Sequence, residues 1–250
     1  MKDVTLRAYW QQVYTFKEFA DKTKEFLNLL NSLTPKFANL VILKAGLDKT
    51  PITDNYSNFN ELFFKGAYDK EAVYTNLDEK KEITANSVGP FYLTFSNRRK
   101  ETEDQFSIRF WQNSYVPPKY IEANNFIQID FPENDPAFFE LEFCKKLLEL
   151  TATFWKAEFA NIYTFDFKKK TKSIVSSFGG IGWLNYFPPS AVLDYVTTKD
   201  AESIITSSDG SCIIILTEPM PDHNNQEHID KAIKLRDKLM PTGLLNWQKP

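Results

Sequence analysis

The feature that most narrows the folds open to this 250-residue chain is a partial self-similarity at an offset of 122 residues. Lys36-Phe37-Ala38-Asn39-Leu40-Val41-Ile42-Leu43 parallels Glu158-Phe159-Ala160-Asn161-Ile162-Tyr163-Thr164-Phe165. The same offset carries Phe16 to Phe138, Phe19 to Leu141, Phe26 to Leu148 and Leu33 to Trp155. In both copies these positions fall at three- and four-residue steps, the spacing of a helix with one apolar face. Ahead of each helix lies an alternating strand, Leu6, Ala8 and Trp10 in one copy and Ile127, Ile129 and Phe131 in the other. Two strand–helix–strand halves, about 1–120 and 121–250, are therefore expected in a single domain.

Between the first unit and the next strands runs a polar insertion, about 46–88, too long for a plain hairpin connection. It contains an apolar knot, Phe59 to Phe64, and a charged tract, Asp69 to Glu82. After Gly89-Pro90, Phe91, Leu93 and Phe95 alternate with Phe106, Ile108 and Phe110 on a following strand, predicting a hairpin with a charged turn. Its opposite face carries Tyr92, Thr94, Ser107, Arg109 and Trp111. Further on, a strand from Phe159 to Phe167 ends in a basic turn, Lys168 to Lys172. Cys212 to Leu216 reads as a central strand, and a last helix starts near Asn224 with Glu227 in a capping box. Ile229, Ala232, Ile233, Leu239 and Met240 form its expected buried stripe. The fold class is thus α+β, a mainly antiparallel sheet covered by long helices in one compact body.

Composition bears on chemistry. Aromatic residues make up 15% of the chain, against 8 Gly and 2 His. Phosphate-cradling loops consume glycine and acid–base sites favour histidine, so this balance suits a binding scaffold better than a nucleotide enzyme. The net charge of −3 supplies no overall field to attract nucleic acid. His223 and His228 lie in a polar helix start without cysteine nearby, short of the three or four converging ligands that zinc requires. Gly179-Gly180-Ile181-Gly182 precedes a strand, whereas phosphate loops follow one into a helix, so φ > 0 at a tight turn is the expected role of these glycines. No Gly-x-Ser-x-Gly elbow is present. Carboxylates such as Glu140 with Glu142, or Asp130 with Glu133 and Asp135, leave a two-carboxylate hydrolase open. Cys144 and Cys212 read as buried thiols of a reducing compartment. No run of about 20 apolar residues spans a membrane. The opening Met1 to Arg7 lacks the apolar stretch of a signal peptide, so a cytoplasmic location is expected.

Gly180 to Pro189 carries a further signal. Gly180-Ile181-Gly182-Trp183-Leu184-Asn185-Tyr186-Phe187-Pro188 resembles the Gly-Trp-x-x-Tyr-x-Pro segment of a bacterial polymorphic-toxin immunity family, the immunity protein 52 family. Type VI secretion immunity proteins have a similar Trp-Leu-x-Phe/Tyr segment before a helix. The resemblance implies a non-enzymatic cytoplasmic protein, without cofactor or metal, that binds and neutralises a cognate toxin, typically a nuclease. Gly182, Trp183, Tyr186 and Pro188 would be fold determinants in it. Candidate partner-binding residues come from surface chemistry instead: Asp54, Tyr56, Asp69, Glu71 and Tyr74 in the insertion, and Arg109 and Trp111 on the hairpin face. A general protein-interaction module is the remaining alternative.

Overall fold

The computed structural model describes residues 4–44, 47, 50–67, 85–86, 91–97, 105–112, 125–171 and 180–245. Contacts divide the chain into two compact units, Gln11–Pro132 and Met1–Trp10 with Glu133–Pro250. Both are α+β, and every strand pairing given for either unit is antiparallel.

In the unit Gln11–Pro132, helices α1 (Phe16–Leu33) and α2 (Phe59–Ala67) accompany four strands. β2 (Val41–Ile42), β3 (Phe91–Ser96), β4 (Ser107–Gln112) and β5 (Asn125–Asp130) adjoin in that order. The hairpin pairs Leu93 with Phe110 and Phe95 with Ile108, and β4 pairs Ile108 with Ile129. One face of these strands is aromatic and closed by the helices. Phe19 stacks on Phe91 at 5.8 Å and meets Phe110 edge-on at 6.1 Å, while Phe59 stacks on Phe95 at 6.1 Å. All five rings are 3% exposed or less, which is where much of the phenylalanine content goes. α1 opens on a full capping box, the Thr15 hydroxyl accepting from the Glu18 amide and the Glu18 carboxylate accepting from the Thr15 amide. The segment leading into it is held by buried side-chain amides. Gln112 Nε2 donates to the Tyr14 carbonyl at 2.7 Å, Gln112 Oε1 accepts from the Tyr14 amide at 2.9 Å, and Asn125 Nδ2 donates to the Gln12 carbonyl.

In the other unit the strand order is β1 (Val4–Trp10), β6 (Phe159–Thr164), β7 (Leu184–Phe187), β9 (Cys212–Ile215) and β8 (Ser203–Thr206). Helix α3 (Leu141–Trp155) packs on β1, β6 and β7. Trp155 stacks on Trp10 at 4.6 Å, so Leu6 and Ala8, which alternate with Trp10, point to α3 as well. Register then brings Ala160 opposite Ala8 and Tyr186 opposite Ala160 on this face. The Tyr186 phenol is raised by burial, against the pull of hydrogen bonds with Ser211 and Thr153. β9 is buried throughout, as its continuous apolar run predicts.

On the opposite face, the segment before β7 is tied into β6. The Trp183 amide donates to the Ile162 carbonyl at 2.6 Å, and a Cβ on Gly182 would lie far inside van der Waals contact distance of that same oxygen. Asn185, fully buried, accepts from the Gly182 amide at 2.7 Å and donates to the Gly182 carbonyl at 3.0 Å. Asn161 donates to the Gly180 carbonyl, and the Trp183 indole N–H donates to the Thr217 carbonyl. Neither Gly180 nor Gly182 has a positive φ; among the described residues the glycines with one are Gly210 and Gly243. Close backbone approach, and not turn geometry, is what requires glycine at 182.

Local corrections follow from capping. The strand starting at Phe159 ends at Thr164, whose hydroxyl accepts from the Phe167 amide, and Phe165–Thr171 is a helix, α4. Its lysines fall in the last turn, where cations suit the helix dipole; Lys168 lies 4.2 Å from the centre of the Tyr163 ring. After α5 (Val192–Tyr195), the last helix, α6 (Gln226–Leu239), is capped by Asn225 and not by Asn224. The buried stripe is Ile229, Ala232, Leu235 and Leu239, with Leu235 in place of Ile233 and Met240, which are half-buried. Asp200, 5% exposed, accepts from Lys238 Nζ at 2.6 Å and from the Thr197 amide and hydroxyl at 3.0 Å each. Burial raises its carboxyl, but Lys238 and Thr197 more than offset this and hold it below the usual range.

Two outcomes are expected. Gly182→Ala should destabilise by about 3 kcal/mol through overpacking, whereas Gly180→Ala, whose added Cβ meets nothing nearer than 3.7 Å, should stay within about 1 kcal/mol in denaturant titrations. Because the folded Asp200 carboxyl titrates below its unfolded value, its stabilisation is full above the unfolded pKa near 4 and is lost as pH falls through the folded one. Asp200→Asn should cost about 1–3 kcal/mol at pH 7, and melts repeated downward from pH 4 should show the gap to wild type closing.

Candidate interaction surface

The face of β3, β4 and β5 turned away from α1 and α2 presents side chains in three rows fixed by register. Tyr92, Trp111 and Phe126 form the first, Thr94, Arg109 and Gln128 the second, and Ser96, Ser107 and Asp130 the third. In the first row Tyr92 meets Trp111 edge-on at 5.5 Å and Trp111 lies parallel to Phe126 at 6.2 Å. Tyr92 is 40% exposed, and the Thr94 hydroxyl donates to its phenol oxygen at 3.3 Å.

The lower rows form a polar network around Asp130. Its carboxylate receives the Arg109 guanidinium at 2.8 Å, the Ser107 hydroxyl at 2.7 Å and Gln128 Nε2 at 2.6 Å. Arg109, with its side chain 43% exposed, is thereby neutralised at the surface. The face combines aromatic area, a neutralised arginine and satisfied polar groups, the composition of protein–protein hot spots.

The structure brings Arg109 and Trp111 together here and places Asp54 and Tyr56 apart from them. Asp54 is exposed on the loop before α2. Tyr56 is half-buried at a φ of 56°, its ring 5.9 Å from Phe59, and burial followed by Asp54 pushes its phenol up. Asp69, Glu71 and Tyr74 lie outside the described residues. Gly182, Trp183 and Tyr186 are the buried parts of the β6–β7 junction, and Pro188 follows β7. Phe126, Gln128 and Asp130 share the face of β5 opposite its apolar register, Ile127 and Ile129. The sequence signal for them as a set is that other period-two register, Phe126-x-Gln128-x-Asp130.

Elsewhere, His228 Nδ1 accepts from the Asp222 amide at 3.0 Å. Among the described residues no group of three or more His, Cys, Asp or Glu is placed to hold a metal ion, and no helix is long and apolar enough to cross a membrane. Burial pushes the Cys144 thiol up to about 12 and that of Cys212 to about 11.

No family model matches the chain, so the immunity protein 52 resemblance has no matching model behind it. No curated protein matches either. Among solved structures, the Pseudomonas aeruginosa T6SS protein PA0821 is similar, with a TM-score of 0.54 over 95% of this chain and 72% of that chain. At 10% identity, that likeness is one of fold.

Trp10, Trp155 and Trp183 are at most 3% exposed, whereas Trp111 is half-buried. Measured in a Trp247→Phe background, since Trp247 lies outside the described residues, Trp111→Phe should therefore remove a disproportionate share of the acrylamide-quenchable tryptophan emission. An unchanged quenchable fraction would place Trp111 out of solvent.

Proposed function

We propose that this chain is a non-enzymatic immunity protein that binds a cognate bacterial toxin and blocks it. The observation that carries the reading is the likeness of fold, over 95% of the chain, to a type VI secretion system protein of Pseudomonas aeruginosa. The Gly182-Trp183-…-Tyr186-…-Pro188 segment points the same way. A nuclease is the toxin class that fits best. It must present cationic surface to nucleic acid, and a partner with net charge −3 is drawn to that surface and associates quickly. The inhibitor then works where the nuclease would act, in the cytoplasm, by occluding the surface that phosphates need.

The test is co-expression with the toxin domain encoded beside the gene. Growth should be restored by this chain, and the purified pair, with the toxin catalytically silenced, should form a one-to-one complex in calorimetry. Continued toxicity together with no measurable heat of binding would overturn the proposal.

A further inference from the structure

We propose that the Tyr92–Trp111 row is the docking platform for a cationic side chain, an arginine or a lysine, presented by the protein partner; this rests on the reading of the chain as a toxin-binding protein and names its contact surface. The first argument is geometric. Tyr92 and Trp111 are cross-strand partners on adjacent strands, so their rings are fixed by the sheet and lose little freedom when a partner docks. Both retain solvent exposure, and they face away from the helices that close the other side.

The second argument is electrostatic. Aromatic ring faces carry negative potential and attract cations. Of the outward positions on β3, β4 and β5, Arg109 is the sole cation, and Asp130 holds it at 2.8 Å with Ser107 and Gln128 filling the same carboxylate. The platform therefore offers no net positive charge to repel an incoming guanidinium or ammonium. The same pairing is already used within the chain, where Lys168 sits 4.2 Å above Tyr163 and Lys169 4.6 Å above Phe165. These facts also weigh against a single-stranded nucleic acid on this sheet. Stacked bases need nearby cations for their phosphates, and the one cation among the described residues of this face is already engaged.

The experiment uses the full-length chain and the catalytically silenced toxin domain as probe, with calorimetry for affinity and circular dichroism melts for folding. Trp111→Ala should weaken Kd by about 30-fold or more, the scale of a hot spot, while Trp111→Phe, which keeps a ring, should cost about 5-fold or less. If Trp111→Ala proves unfolded, Tyr92→Ala on the same row takes its place with the same expected direction. Mono-, di- and trifluorotryptophan introduced at position 111 by nonsense suppression drain the ring face of negative potential at nearly constant shape, so affinity should fall stepwise along the series. A flat series would overturn the cation. Wild-type binding unaltered by Trp111→Ala and Tyr92→Ala would overturn this surface and leave the toxin-binding reading standing, whereas no binding by wild type would overturn both. Tight binding of a fluorescent dT20 that is lost in Trp111→Ala would overturn the protein partner in favour of nucleic acid.

Discussion

The unit built from the chain's first ten residues and its second half depends on one backbone contact. The Ile162 carbonyl accepts from the Trp183 amide at a point where residue 182 must have no side chain. That approach lets β7 lie beside β6, which in turn sets β7 against β9. Asn185 and Asn161 make it permanent by satisfying the polar groups of Gly182 and Gly180 that the approach buries. The Trp183 indole adds a distant tether to Thr217, so one short segment joins three stretches of chain. A buried polar knot of this kind leaves few alternative registers, because a slip of one residue would strand several donors and acceptors without partners.

The unit Gln11–Pro132 fills its core with phenylalanine, and its buried Gln112 and Asn125 amides tie down the segment leading into α1. Its aromatic hairpin was legible in the sequence because two period-two runs, with Phe at four of their six inward positions, are joined by a charged stretch. The amphipathic runs of α1 and α3 were legible for the same reason of period. Less was visible where a helix turns on one hydrogen bond. The Thr164 hydroxyl caps the first turn of α4 where the strand stops, and α6 is capped by Asn225, one residue past Asn224. Such choices are worth about 1 kcal/mol each and leave no periodic trace.

Only half of the candidate surface could be read in advance. Arg109 and Trp111 announce themselves as an arginine and a tryptophan on an outward register. Their neighbours Phe126 and Asp130 come from a strand separated from β4 by residues 113–124, and pairing across that gap is set by tertiary register. The acidic balance of the chain, the neutralised Arg109 and the exposed rings are the features on which the proposed docking of a cationic partner rests.

The placement of the two cysteines has a consequence for how opening of the molecule can be watched. Both lie in the unit completed by β1, and the unit Gln11–Pro132 has none. With thiols near 12 and 11, only about one molecule in ten thousand or fewer carries a thiolate at pH 7 while folded. Alkylation must therefore wait for exposure of the core around α3 and β9. Thiol labelling becomes a clock for the opening of that unit alone, blind to whatever the phenylalanine-packed unit does.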